Sequence, residues 1–242
     1  MLTFRSLSLA LAFSASLAVP AQALVGPSED GGAFAAQAVM ILARGAGRAG
    51  FCSGVVIAPD IVLTAAHCVA APDATRVHFR GPDGAPVLIG VAHVARHPQY
   101  RADAVAARAK SVDLALVQAA TPLPAYFSAA AIGVASSEPG AAFIIAGFGM
   151  RQENAAASSG VLRSARMKLR APISNLLLWL DNAEGAGACT GDSGAPVFEA
   201  GALVAVVAFA QGAPGHACGK LTQAVRAAPE RVWIDRVIAG WR

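Results

Sequence analysis

Cys189-Thr190-Gly191-Asp192-Ser193-Gly194-Ala195-Pro196 sets an acid and a serine between two glycines, and the reading of this octet decides the reading of the rest of the chain. Glycines on both sides leave the serine hydroxyl uncrowded and let backbone N–H groups converge on one point, as an oxyanion developing on an attacked carbonyl requires. Such short strings also occur in loops without chemistry, so the octet needs partners. A serine becomes a nucleophile only beside a base, and the base needs a group that orients it. In Leu63-Thr64-Ala65-Ala66-His67-Cys68 a histidine follows an apolar run and the turn Pro59-Asp60, bracketed by small residues that leave its ring open. In Ser111-Val112-Asp113-Leu114-Ala115-Leu116-Val117 a carboxylate heads an apolar strand, where burial demands a charge partner or several donors. Singly, His67 reads as a structural histidine near a strand end and Asp113 as a capping residue. The combination with Ser193 is far more specific than its parts.

Around these motifs, short apolar stretches rich in Val and Ile alternate with Gly, Pro, Asp and Asn: Val39–Leu42, Gly54–Ala58, Val77–Arg80, Val87–Val94, Leu114–Gln118, Phe143–Gly147, Leu162–Arg170 and Leu203–Phe209. Such spacing predicts an all-β sandwich or barrel pair. One segment, Pro229–Trp241, repeats Val232, Trp233, Val237, Ile238 and Trp241 at helical intervals. Two prolines in Thr121-Pro122-Leu123-Pro124 mark a division, with candidate residues on both sides, so a site between two subdomains is expected.

The chain has 242 residues and a formal net charge of +4, with its basic residues scattered and no run of five. That argues against a nucleic-acid groove. Residues 1–23 have the form of a secretory signal peptide: Arg5, the apolar run Leu7–Val19, Pro20 and the small triplet Ala21-Gln22-Ala23. No later stretch offers about 20 uninterrupted apolar residues, so no membrane association is expected once the leader is removed. Secretion or a periplasmic location follows, and there the four cysteines, Cys52, Cys68, Cys189 and Cys218, would form two disulfides in one of three pairings. A zinc site is disfavoured because no close C-x-x-C pair is present. His78, His93 and His97 read as surface or strand-end residues, and Met40, Met150 and Met167 as core fillers.

Thr64-Ala65-Ala66-His67-Cys68, Asp113-Leu114-Ala115-Leu116 and Gly191-Asp192-Ser193-Gly194 together resemble the three signatures of the chymotrypsin/trypsin serine protease family, in that family's His, Asp, Ser order. The resemblance extends to Phe51-Cys52-Ser53-Gly54, His97-Pro98, Ala146-Gly147-Phe148-Gly149, Leu169–Ile173 and the terminal helix. It implies two six-stranded antiparallel β-barrels, the first over roughly 24–122 and the second over 123–228, with a C-terminal α-helix over 229–241. It implies His67, Asp113 and Ser193 as the catalytic triad, an oxyanion hole from the Gly191 and Ser193 N–H groups, and pairing of Cys52 with Cys68 and Cys189 with Cys218. A polypeptide substrate, a monomer, and no metal or organic cofactor are likewise implied.

Cleavage after Ala23 would expose Leu24-Val25-Gly26, which is similar to the start of activated family members; the resemblance then implies an ion pair between the Leu24 ammonium and Asp192, with Pro27 departing from the family's second glycine. By the same likeness the specificity pocket comprises Gly187 at its floor, Ala188, the wall Ala208-Phe209-Ala210, and Gly219. With no acid at Gly187 and a methyl at Ala210, cleavage after small or medium apolar residues is expected, not after Lys or Arg. His216 reads as a rim residue. A binding or scaffold protein that keeps the barrels without hydrolysis is the alternative; a G-x-S-x-G elbow is absent, which argues against an α/β-hydrolase esterase.

Overall fold

The computed structural model describes residues 24–45, 48–107 and 109–242; the expected leader, residues 1–23, lies outside the described residues. The first barrel is built from β2 (Ala38–Gly45), β3 (Arg48–Ala58), β4 (Ile61–Thr64), β5 (Thr75–Arg80), β6 (Pro86–Arg96) and β7 (Ala115–Ala119), closed in the order β2-β3-β4-β7-β6-β5. The second uses β8 (Ala142–Gly147), β9 (Arg163–Leu169), β10 (Leu177–Asp181), β11 (Pro196–Glu199), β12 (Ala202–Gly212) and β13 (Gly219–Arg226). Its order is β9-β10-β13-β12-β11-β8, and the pairing of β8 with β9, from Ala142 opposite Lys168 to Gly147 opposite Arg163, closes the ring. All these pairings are antiparallel.

Side-chain alternation explains how the barrels pack. Along β3 and β4, Val56 and Val62 enter the first barrel's core with Val39, Ile41, Val77, Phe79 and Val117. Their neighbours Val55, Ile61 and Leu63 point the other way and meet Leu114, Leu116, Phe198, Leu203, Val206 and Val225 in an apolar layer between the barrels. The second core holds Phe143, Ile145, Met167, Leu178, Leu180, Val197, Val204 and Val207. Each such fully buried side chain stabilises the fold by roughly 1.5–3 kcal/mol, so the interbarrel layer fixes the relative position of the two sheets.

The C-terminal helix, α2 (Arg231–Gly240), lays Ile234, Trp233, Val237 and Ile238 on that interbarrel layer. It also reaches the β6–β7 connection of the first barrel, where His97 Nε2 lies 3.0 Å from Glu230 Oε2 and Trp233 meets the imidazole edge-on at 4.7 Å. His97 thus sits at a strand end, directly after β6, but is buried there, and burial lowers its basicity despite the Glu230 carboxylate. That connection also carries a four-residue helix, α1 (Ala104–Ala107), too short to leave a periodic signature in sequence.

One boundary differs from expectation. The first barrel is expected from residue 24, but residues 24–31 pack on the second: β1 (Glu29–Asp30) pairs with β9, Val25 bridges Gly187 through two backbone hydrogen bonds of 3.1 and 3.0 Å, and Leu24 is fully buried in the second core, whereas the Gln37 carbonyl accepts the Val56 N–H of β3 at 2.8 Å. The reason is long-range pairing: β9 and the isolated bridge at Gly187 hold this segment from far along the chain.

Candidate active site

The barrels meet along a cleft of about 1030 Å³ that both His67 and Ser193 line, together with Asp113. His67 sits on a single 3₁₀ turn, Ala66–Cys68, directly after β4. Arg96, from β6, braces that turn by donating to the carbonyl oxygens of Ala66 and Val69 on either side of it. Asp113 immediately precedes β7, whose pairing with β4 brings it beside His67. The Asp113 carboxylate accepts two hydrogen bonds from that residue, from the His67 backbone N–H at 3.0 Å and from Nδ1 at 2.7 Å. A carboxylate only accepts, so Nδ1 carries a proton, and in the neutral ring Nε2 is then the nitrogen with the free lone pair. Nε2 lies 3.6 Å from Cys68 Sγ. Among the described residues no hydrogen bond joins Ser193 Oγ to Nε2; catalytic hydrogen bonds of this kind often tighten only in the complex with substrate.

The serine loop is positioned by what surrounds it. Gly194 has φ +82, and a side chain there would collide with the Ser53 carbonyl oxygen and the Thr64 hydroxyl. Gly191 has φ +97 and lies against the Phe51 ring. Ser53, fully buried on β3, holds the loop from the first barrel: its N–H donates to the Ser193 carbonyl (2.8 Å) and its hydroxyl to the Gly191 carbonyl (2.9 Å). The same hydroxyl accepts the Phe148 N–H at 3.0 Å. Both carbonyls are thereby turned inward, and among the described residues the N–H groups of Gly191 and Ser193 donate to no protein acceptor.

Asp192 points the opposite way, wholly inside the second barrel. Its Oδ1 accepts the Gly149 N–H (2.8 Å) and its Oδ2 the Cys189 N–H (2.9 Å). Gly147 and Gly149 are glycines for a steric reason: a Cβ at either would run into this carboxyl group. Two donors do not offset full desolvation, and burial pushes the Asp192 carboxyl up to about 7.

Disulfides join Cys52 to Cys68 and Cys189 to Cys218. The first passes beside the His67 ring. Cys52, His67 and Cys68 thus form the group of metal-ligand types found among the described residues, but both sulfurs are tied up in the bond and supply no thiolate.

The expected pocket divides in two. Ala208, Phe209 and Ala210 line the cleft, as do Cys189, Thr190, Ala217 and Cys218. Gly187, Ala188 and Gly219 lie behind that lining, all buried. A Cβ on Gly187 would stand 3.0 Å from the Gly219 Cα, so the two backbones close on each other. Thr222, which sequence reading did not single out, is fully buried opposite Ala210 and accepts the Ala188 N–H at 3.0 Å. Also unanticipated are Tyr100, Val105, Leu176, Leu177 and Trp179, which line the same cleft.

With this geometry in view, comparison with known proteins is decisive. The trypsin family model matches residues 25–229. The chain belongs to the trypsin family. It is accordingly a serine-type endopeptidase, a hydrolase whose substrate is polypeptide. Among characterised relatives it is 27% identical to serine protease 1 of Canis lupus familiaris over 205 residues, 78% of this chain and 80% of that protein, and 25% identical to brachyurin of Leptuca pugilator over 175 residues, 66% and 75%. Neuropsin, a serine protease of mouse brain, superposes with a TM-score of 0.71 at 21% identity, covering 87% of this chain and 98% of that structure. A scabies mite protein described as an inactivated protease paralogue also scores 0.71, at 20% identity over 89% and 99%. The shared fold alone therefore does not carry activity, and the side chains must.

Because Ser53 joins the barrels through one buried hydroxyl, Ser53→Ala leaves the Phe148 N–H and the Gly191 carbonyl without it. A loss of about 2–4 kcal/mol is expected, read as a lower urea midpoint at unchanged slope in a Ser193→Ala background that prevents self-digestion.

Proposed function

We propose that this protease cleaves polypeptides after small or medium apolar residues, with Ser193 as nucleophile, His67 as general base and Asp113 as the orienting carboxylate. The observation that carries this reading is the double hold of Asp113 on His67, which leaves a proton-free Nε2 in the cleft that Ser193 lines. As Ser193 Oγ adds to the substrate carbonyl carbon, its proton passes to Nε2, and the Asp113 carboxylate stabilises the imidazolium that results. The carbonyl oxygen becomes an oxyanion in reach of the Gly191 and Ser193 N–H groups. His67 then protonates the departing amine, the C–N bond breaks, and an acyl-enzyme remains. Water, deprotonated by the same Nε2, attacks the ester and frees the acid and Ser193.

The preference is supported by the shape behind the wall. Ala208, Phe209 and Ala210 offer apolar surface, while the Gly187–Gly219 contact and Thr222 leave little depth and no negative charge at the floor. The protein acts as a monomer after export, in a periplasm or outside the cell; two disulfides suit an oxidising compartment.

Removal of residues 1–23 is the activating step in this reading. Leu24 has φ 64, a conformation in which an L side chain crowds its surroundings at a cost of about 1–2 kcal/mol. Hydrolysis of the Ala23–Leu24 bond ends that torsional constraint and creates an ammonium in the core that encloses Asp192. A buried carboxylate paired with an ammonium ionises readily, and the oxyanion loop is then held by charge as well as by hydrogen bonds.

Three outcomes are expected. A fluorophosphonate should add once to the mature protein, measured by intact mass; Ser193→Ala should abolish the adduct and Asp113→Asn should slow peptide hydrolysis on the order of 10⁴-fold, as in the trypsin-type template of this mechanism, whereas no adduct on a folded protein beginning at Leu24 would favour a binding role. Gly187→Asp should not create cleavage after Lys or Arg, because the new Cβ meets the Gly219 backbone; a profile of peptide libraries that turned basic would contradict the shallow pocket.

The third concerns pH. In the uncut chain the folded Asp192 carboxyl holds its proton up to about 7, while the unfolded one releases it near 4. Between those values the native state binds the extra proton, so stability should fall with rising pH, by up to about 1.4 kcal/mol per unit. In a chain beginning at Leu24 the ammonium removes this penalty. Thermal melts of Ser193→Ala protein from pH 4 to 7 should therefore decline for the uncut form and stay level for the mature one.

A further inference from the structure

The loop between β8 and β9 does more than supply the Gly149 N–H. Met150 donates its N–H to the Thr190 carbonyl at 2.8 Å, and the chain then turns outward to Glu153. There the Glu153 carboxylate crosses to the segment between β12 and β13. Its Oε1 accepts the Ala217 N–H at 2.6 Å, and its Oε2 lies 3.1 Å from His216 Nδ1. The Glu153 side chain is 22% exposed, so this is a partly sheltered, charge-assisted contact and not a free surface pair.

The receiving segment is the lip of the cleft. Ala217 and Cys218 line it, and Cys218 is bonded to Cys189 in the serine loop. The segment is folded tightly on itself: the His216 N–H donates to the Ala213 carbonyl at 2.8 Å, and a side chain on Gly212 would collide with the His216 carbonyl. A closed circuit results, from Asp192 to Gly149, along the loop to Glu153, across to Ala217, and back through Cys218 and Cys189. Four of its connections are held by the backbone or by a covalent bond; Glu153 is the non-covalent side-chain link whose replacement opens it while leaving the disulfide and the Asp192 contacts intact.

We infer that Glu153 is a positioning residue for substrate binding, holding the Ala217–Cys218 lip at the distance from Phe209 and Ala210 that grips the acyl-side residues of a peptide. The inference rests on the proposed use of this cleft for polypeptide, and it assigns Glu153 to binding and not to bond making. Its loss should therefore weaken ground-state binding while the reaction of a small phosphonate with Ser193 is unchanged.

The test is the affinity of a fluorescein-tagged apolar hexapeptide for Ser193→Ala protein, with and without Glu153→Ala, followed by anisotropy. A five- to tenfold rise in Kd is expected from one lost charge-assisted hydrogen bond at a partly exposed site. Glu153→Gln, which can still accept the Ala217 N–H, should recover most of it. In active protein the same change should raise KM about as much while kcat moves less than about threefold, and fluorophosphonate labelling should keep its rate. Equal Kd in the two proteins, or no binding by the Ser193→Ala protein, overturns the inference. So does a labelling rate that falls with Glu153→Ala, since the circuit would then serve the oxyanion loop. Failure of the otherwise unaltered mature protein to react with the phosphonate, by contrast, would bear on the reaction and leave the Kd comparison standing as a separate result.

Discussion

A carboxyl group wholly removed from water constrains nearly everything about this active site. Asp192 precedes Ser193, and its side chain must go inward if the serine is to face the cleft. That geometry requires two N–H donors aimed into the second barrel, from Gly149 and Cys189, and it excludes side chains at Gly147 and Gly149. The donors in turn fix the β8–β9 loop and the cysteine that anchors the lip. One buried acid thus organises segments separated by more than forty positions in sequence. The energetic tension is plain in its elevated pKa: two hydrogen bonds alone do not compensate for desolvation.

The first barrel contributes rigidity of a different kind. His67 and Asp113 stand at the ends of two paired strands, β4 and β7, whose outer faces are sealed into the apolar layer against the second barrel. Orientation comes from the carboxylate, and Arg96 steadies the turn through its carbonyls. Ser53 then ties this half to the serine loop through two hydrogen bonds and to Phe148 through a third. Preorganisation is therefore distributed: no one element holds the site, and each barrel supplies what the other lacks.

Sequence reading reached an all-β fold because Val-rich runs between turns are local signals, and the resemblance carried by the three motifs implied the two six-stranded barrels. It did not single out β4, since Ile61, Val62, Leu63 and Thr64 are all buried and show no alternation. The placement of residues 24–31 was not legible because strand pairing across more than a hundred residues has no local mark. The burial of His97 was illegible for the same reason, as its partner Glu230 lies at the far end of the chain. Pocket shape was also illegible: the resemblance could name Gly187 and Gly219, but their close backbone approach and the burial of Thr222 opposite Ala210 leave no mark in the sequence.

The position of Leu24 has a practical side. The residue where the described structure begins is an interior residue, packed among the side chains of the second core. Any affinity handle placed directly before it would have to thread out of that core. Attachment chemistry and immobilisation belong instead at Arg242, which lies exposed beyond α2 on the surface.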